Sequence, residues 1–389
     1  MAWQRQIPSL PEQPAPPASG RWLLGFMLAI IVSIMLFLLH AANHLGGLQA
    51  VNIWLVAVIP LVGYLLAFSL RSYLFGQALS QYHFLQDEAQ TAQREWHQWA
   101  ERYMAVLASC VLLPDKITAS FLVKQPADLP SQLGLTRRID YLTEGQMSVR
   151  FAITTLLGII ADPLTKLPQT QPLHVTLVTD SDMEQETLST LFSEGWLTTM
   201  PGHPAPLDVS VQSSLSYDLI ESRIREAQEA VDLILVLQLE GEERYSDGLS
   251  VFLLTPDDAA KKHALPVTGR LLRPMLLDPQ HLASEMALFF DTQPLSLKAP
   301  GLLGDCRDFL ALTYQIVPTC SDKGGALTID KVMTLERAIG LTGPLSAWLL
   351  AGLCVDFCRC QEIPYLMFSQ SAPYWFVSTV SPGVVNEDL

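Results

Sequence analysis

The sequence predicts an α/β fold carried behind a pair of membrane-crossing helices, and three observations predict it. Two uncharged apolar runs lie near the N-terminus, at 22–40 and 51–70, each close to the ~20 residues that cover a ~30 Å hydrocarbon core. Beyond Pro114, short apolar runs alternate with helical stretches, the pattern of a sheet covered on both faces. Hydrophobic residues make up 49% of the 389 and charged residues only 16%, a balance that membrane spans and a buried sheet together account for.

The first run reads WLLGFMLAIIVSIMLFLL, and the second holds Pro60, which a membrane helix tolerates where neighbours satisfy the freed carbonyl. A cleaved signal peptide is the competing reading of the first run. Its length, the Pro-rich leader before it and the second run directly after it argue against that. Residues 40–50 carry no Lys or Arg, whereas Arg5, Arg21 and Arg71 flank the outer ends. Positive-inside bias then places both termini and the soluble domain on the cytoplasmic side of a bacterial inner membrane.

The organisation that follows is a disordered Pro-rich tail over 1–20, a transmembrane hairpin over 21–71, a long cytoplasmic helix over 72–113, an α/β domain over 114–380 and a tail over 381–389. The leader IPSLPEQPAPPASG serves as a docking segment or as a plain spacer. Within 72–113, Tyr73, Leu79, Tyr82, Leu85, Trp96, Trp99, Tyr103 and Val106 recur near helical spacing. The tryptophans are then used in core packing or against a partner helix.

In the domain, 173–180, 207–212, 231–239 and 249–256 read as strands, and 183–194 and 217–230 as helices. A net charge of -15 removes general attraction to nucleic acid or anionic lipid. The six cysteines follow the apolar runs without a secreted-framework spacing and read as reduced cytosolic thiols.

From Val209 to Pro256 the segment SVQSSLSYDLIESRIREAQEAVDLILVL, followed by Ser246, Asp247 and Gly248, resembles the thiolase and β-ketoacyl synthase superfamily in the order strand, nucleophile turn, helix, strand, hairpin. IGLTGPLSA at 339–347 resembles that family's Gly-His-Thr turn, where small residues let a helix N-terminus approach the acyl site. The resemblance implies a thiolase-like layered α/β domain with mainly parallel or mixed sheets. It also implies a homodimer, or a heterodimer with a related domain, joined at the sheet edge beside the nucleophile turn.

Carried over residue by residue, the resemblance removes the chemistry. The nucleophilic Cys falls on Val211, which has no ionisable group, and the His of the turn falls on Leu341, which cannot stabilise an oxyanion. The family's other His has no counterpart in PTCSDKGG at 318–325. The resemblance therefore implies a pseudoenzyme, with Ser213, Ser214, Gly340, Thr342 and Gly343 left around the pocket.

Ser213 and Ser214 lack a surrounding GxSxG, so capping of the next helix competes with catalysis. Cys354, Cys358 and Cys360 form CVDFCRC inside an apolar helix with no second ligand cluster, which favours small buried hydrophobes over a zinc site. No phosphate-cradling motif is present, and no metal or cofactor is expected. Asp257 and Asp258 read as the first turn of a helix.

The expected function is a non-catalytic, membrane-anchored scaffold or adaptor that binds other proteins of a membrane complex. Its build is shared with membrane-anchored accessory proteins of bacterial type VI secretion clusters. The alternative is an inner-membrane acyltransferase or thioesterase acting on acyl thioesters through Ser213, Ser214, Cys306 or Cys320. A third reading makes the helix from Ser72 an oligomerisation stalk.

Overall fold

The computed structural model describes residues 3, 11–44, 46–47, 50–124, 131–142, 146–168, 171–203, 206, 208–371 and 374–383. The expected tail over 381–389 lies mostly outside them. The chain forms two compact units, Arg5–Glu95 and Met1–Gln4 with Trp96–Leu389.

The first unit is a helical hairpin of α1 (Ser19–Ala41) and the body of α2 (Ile53–Ala100). The helices run antiparallel: Trp22 of α1 meets Tyr64 and Phe68, while Phe37 meets Trp54. Tyr64 Oη donates to the Trp22 carbonyl at 2.7 Å. Most apolar side chains of this unit face outward, Leu24, Trp54 and Leu66 among them, an arrangement water does not favour. Both helices are long and apolar enough to cross a membrane.

In the second unit the first half consists of β1 (Tyr103–Leu112), α3 (Ala119–Lys124), α4 (Gln146–Thr165), β2 (Leu173–Thr179), α5 (Gln185–Thr199), β3 (Val209–Gln212), α6 (Leu219–Glu226), β4 (Val231–Gln238), β5 (Gly248–Pro256) and α7 (Asp257–Lys262). The second half consists of β6 (Gly269–Leu272), β7 (Met275–Leu277), α8 (Leu282–Thr292), β8 (Gly301–Gly304), α9 (Asp308–Asp322), β9 (Val332–Thr334), α10 (Leu335–Ile339), α11 (Ser346–Gln361), β10 (Tyr365–Ser371) and β11 (Tyr374–Pro382).

All the described strands join one sheet in the order β3-β2-β4-β5-β1-β6-β11-β10-β8-β9, with β7 beside β11. With β7 set aside and the other strands numbered within their own half, each half reads 3-2-4-5-1, and in each only the fifth of these strands runs against the others. The halves meet where β1 pairs antiparallel with β6. This is an internal duplication of one strand order.

Side-chain alternation divides the core into layers. On β4, Leu233, Leu235 and Leu237 pack outward with α4 and α5, whereas Ile234 and Val236 pack inward. On β10, Leu366 and Phe368 face the cluster with α8 and α9, and Met367 faces inward. The inward residues of both halves enclose α11, which is apolar and buried all round through most of its length, as a helix enclosed by the two halves of the sheet must be. A bulge between Val106 and Ala108 lets β1 exchange faces midway.

Two expectations are corrected. The helix predicted over 72–113 ends at Ala100, and Tyr103–Leu112 form β1, so the α/β unit begins near Trp96 rather than at 114. The sequence YMAVLASCVL is buried on both faces between β5 and β6, and such a strand carries no alternation to separate it from a helix. The predicted disordered tail over 1–20 is only in part described, and Trp3 in it is buried within the α/β unit. The strands over 173–180, 207–212, 231–239 and 249–256 and the helix from Asp257 are found within a few residues of the expected bounds.

Candidate functional site

The parallel strands β3, β2 and β4 end together, the place where open α/β sheets expose backbone and loops to a ligand. Two cavities open there. The smaller, about 470 Å³, lies between the ends of β2 and β3 and is lined by Thr179, Ser181, Met183, Gln185, Leu188 and the run from Val211 to Ser214. None of these residues carries an acid, a base or a thiol. Ser213 and Ser214 are exposed at the strand end, so their hydroxyls have no general base in the cavity to activate them.

The larger cavity, about 750 Å³, lies at the ends of β2 and β4 and is lined by Arg138, Asp140, Asp180, Asp182, Glu240, Glu242, Arg244, Tyr245 and Asp247 among others. Two of its carboxylates are used structurally. Asp180 accepts the N–H groups of Leu239 and Glu240 at 2.9 Å and the Tyr245 hydroxyl at 3.2 Å. Burial raises the Asp180 pKa, and burial with the neighbouring carboxylate pushes Tyr245 up to about 12. Asp247 accepts from Arg138 at 2.6 Å and from the Ile139 N–H at 3.1 Å.

The turn at 340–345 is tied to this region. Gly340 has φ +91°, and a Cβ there would meet the Leu135 carbonyl oxygen, so glycine is required. The Leu341 N–H donates to Leu135 O, and its carbonyl accepts from the Ser246 N–H, both at 2.8 Å. Gln238, fully buried at the end of β4, donates to Ser246 O at 2.7 Å and accepts from the Leu345 N–H at 3.0 Å.

The sequence-predicted site residues are therefore not gathered in one pocket. Ser213 and Ser214 line the smaller cavity with Val211, whereas Gly343 packs on Gln238 and Tyr245. Val211 leans on the outer cluster with α4 and α5. Neither cavity is lined by both Val211 and Leu341, and Gly340 and Thr342 line neither.

Between β3 and α6 the interior is filled. Tyr217 stacks on Phe376 of β11 with ring centroids 4.6 Å apart and meets Trp348 of α11 at 5.3 Å. Trp348 Nε1 donates to the Leu215 carbonyl at 2.8 Å. The thiols at these positions are held protonated: burial raises Cys354 and Cys358 on α11 and Cys320 on α9, and it pushes Cys110 up to about 11 and Cys306, which also feels Asp305, up to about 12. Among the described residues no group of three or more His, Cys, Asp or Glu is placed to hold a metal.

The sequence reading missed Asp180 and its counterpart Asp305. Each directly follows the second strand of its half, and each binds the end of the fourth. Asp305 accepts the Gln370 N–H at 2.8 Å and the Ser369 hydroxyl at 2.7 Å. The shared signal is an apolar strand closed by aspartate, VTLVTD and GLLGD.

No family model and no curated protein matches the chain. Among solved structures it is similar to one chain of a complex between a type II polyketide acyl-carrier protein and its ketosynthase bound to the hexaketide (11% identity, 72% of this chain and 99% of that one, TM-score 0.46). It is similar to 3-oxoacyl-(acyl carrier protein) synthase III from Pseudomonas aeruginosa (14%, 72% and 98%, 0.42). It is also similar to acetamide-bound OleA from Xanthomonas campestris (11%, 72% and 99%, 0.43). These likenesses concern chain course alone. The repeated 3-2-4-5-1 order with its antiparallel fifth strand, found independently in both halves, is what makes the α/β unit thiolase-like with a mixed sheet.

Proposed function

We propose that the chain is a membrane-anchored, non-catalytic scaffold whose thiolase-like unit offers surface to partner proteins rather than a site for acyl condensation. The observation that carries this reading is the cavity at the end of β3, where two exposed serines stand among side chains with no base, acid or thiol. The protonated state of Cys306 supports it, since a thiol at about 12 is not a thiolate at neutral pH. The aromatic packing of Tyr217, Trp348 and Phe376 supports it further by filling the space beside α6.

The hairpin of α1 and α2 is the anchor, with both termini cytoplasmic. A third helix of sufficient length and apolarity, 147–165, is instead used in the core, where Ala152, Ile153, Leu156 and Leu157 are fully buried. β3 ends the sheet with Ser210 and Gln212 exposed, and that edge is the proposed dimer contact. A type VI secretion complex is the proposed setting, tested by co-purification of the tagged chain with the other membrane components of such a cluster.

The deciding experiment treats the detergent-solubilised chain with a reactive acyl-thioester analogue and reads peptide masses. No adduct is expected at Ser213, Ser214, Cys306 or Cys320. A labelled serine or cysteine at stoichiometric level would restore the acyltransferase or thioesterase alternative. Alkaline extraction of membranes, expected to leave the protein in the pellet, tests the anchor separately.

A further inference from the structure

Trp3 groups with the α/β unit rather than with the unit that begins at Arg5. It is 7% exposed and belongs to the α/β unit, although both apolar helices separate it from Trp96 in the chain. Its indole meets Trp99 edge-on at 5.5 Å and Phe289 of α8 at 5.5 Å. These are the separations at which aromatic pairs attract beyond simple burial.

The partner rings are themselves fixed. Trp99 stacks with Trp96 at 4.5 Å, and the Arg273 guanidinium lies 4.2 Å from its ring centroid. The carbonyl of Ala100, one residue on, accepts from the buried Gln293 side chain at 2.7 Å. Such a held arrangement loses little freedom when a ring enters it.

We propose that Trp99 and Phe289 form an aromatic socket whose ligand is the chain's own N-terminal tryptophan, so that Trp3 is a clasp fastening the N-terminus beside the end of α2. The clasp itself does not depend on the position of the apolar helices. Where the membrane reading under Proposed function also holds, it requires an even number of crossings between Trp3 and Trp96. The docked side chain is the element that gives the N-terminal segment its specificity, and an aromatic-led peptide is the chemistry the socket accepts.

The test uses the full-length chain in detergent and a fluorescent peptide of residues 1–10. The Trp3→Ala chain, its socket vacated, is expected to bind the peptide saturably, and the wild-type chain at least tenfold more weakly because its own Trp3 competes. A peptide carrying Trp3→Ala is expected to bind neither. A Trp3→Phe chain, which keeps a ring for the socket, is expected to fall between the two and serves where Trp3→Ala fails to fold. Equal affinity for the wild-type and variant chains, or no saturable binding to either variant, overturns the clasp.

Discussion

The two halves of the α/β unit share a strand order and part company at the ends of their parallel strands. In the first half the strand-closing Asp180 borders an open cavity, and the helix after the third strand, α6, has 8 residues. In the second half Asp305 is 2% exposed, and the corresponding helix, α11, has 16 residues, most of them buried. One half keeps a wet rim and the other supplies the core. Duplication of a fold thus conserves hydrogen-bond geometry at a strand end while leaving solvent access free to diverge.

The largest expected effect falls on the core-supplying half. Trp348 touches Tyr217 and Phe252 of the first half and donates to Leu215 O, so Trp348→Ala should cost about 3–5 kcal/mol. The loss is read as a lowered denaturation midpoint. A cost below about 1 kcal/mol would mean that the halves do not share this core.

The aspartate pair sharpens the comparison. Asp305→Ala strands the fully buried Ser369 hydroxyl and removes the acceptor of the Gln370 N–H, and should cost about 3 kcal/mol. Asp180→Ala leaves the Leu239 and Glu240 N–H groups beside a cavity that admits water, so about 1 kcal/mol is expected. Equal losses in the two variants would erase the distinction between wet and dry ends.

What the sequence disclosed follows the same physics. VDLILVLQL announces β4 because a strand buried on both faces is continuously apolar. The duplication stayed hidden because β4 and its counterpart β10, YLMFSQS, share position but not residues. Strand pairing is a long-range property that no local window contains. β1 was hidden by Tyr103 and Val106, which continue the helical spacing of α2 past its end. The candidate site was legible only in fragments: the serines and the glycine turn were found, but Asp180, Gln238, Tyr245 and Trp348 come from distant segments whose meeting depends on sheet order.

A pH experiment separates α11 from the first half. Burial pushes Asp356 on α11 up to about 6, so the native state holds its proton more tightly than the unfolded chain, whose ordinary value is 3.8. Its contribution to stability is therefore full below pH 3.8 and is lost as pH rises through about 6. Asp356→Asn should flatten that part of the stability profile and raise stability at pH 7.5, by on the order of 2 kcal/mol. A variant profile parallel to the wild type between pH 4 and 7 would place the titration elsewhere.

The smallest effect belongs to the wet rim. Ser213 and Ser214 are exposed, and the cavity they line contains no titratable neighbour. Replacing both by Ala removes hydroxyls that water already satisfies, so stability should change by less than about 0.5 kcal/mol. Tyr217 and Trp348, directly behind this turn, hold it through packing that the substitution does not touch. The double variant should keep the oligomeric state and partner binding of the wild type. A loss of either, with the denaturation midpoint unchanged, would show that the end of β3 is a recognition surface in its own right, and would move the functional centre of the molecule from its buried half to its open one.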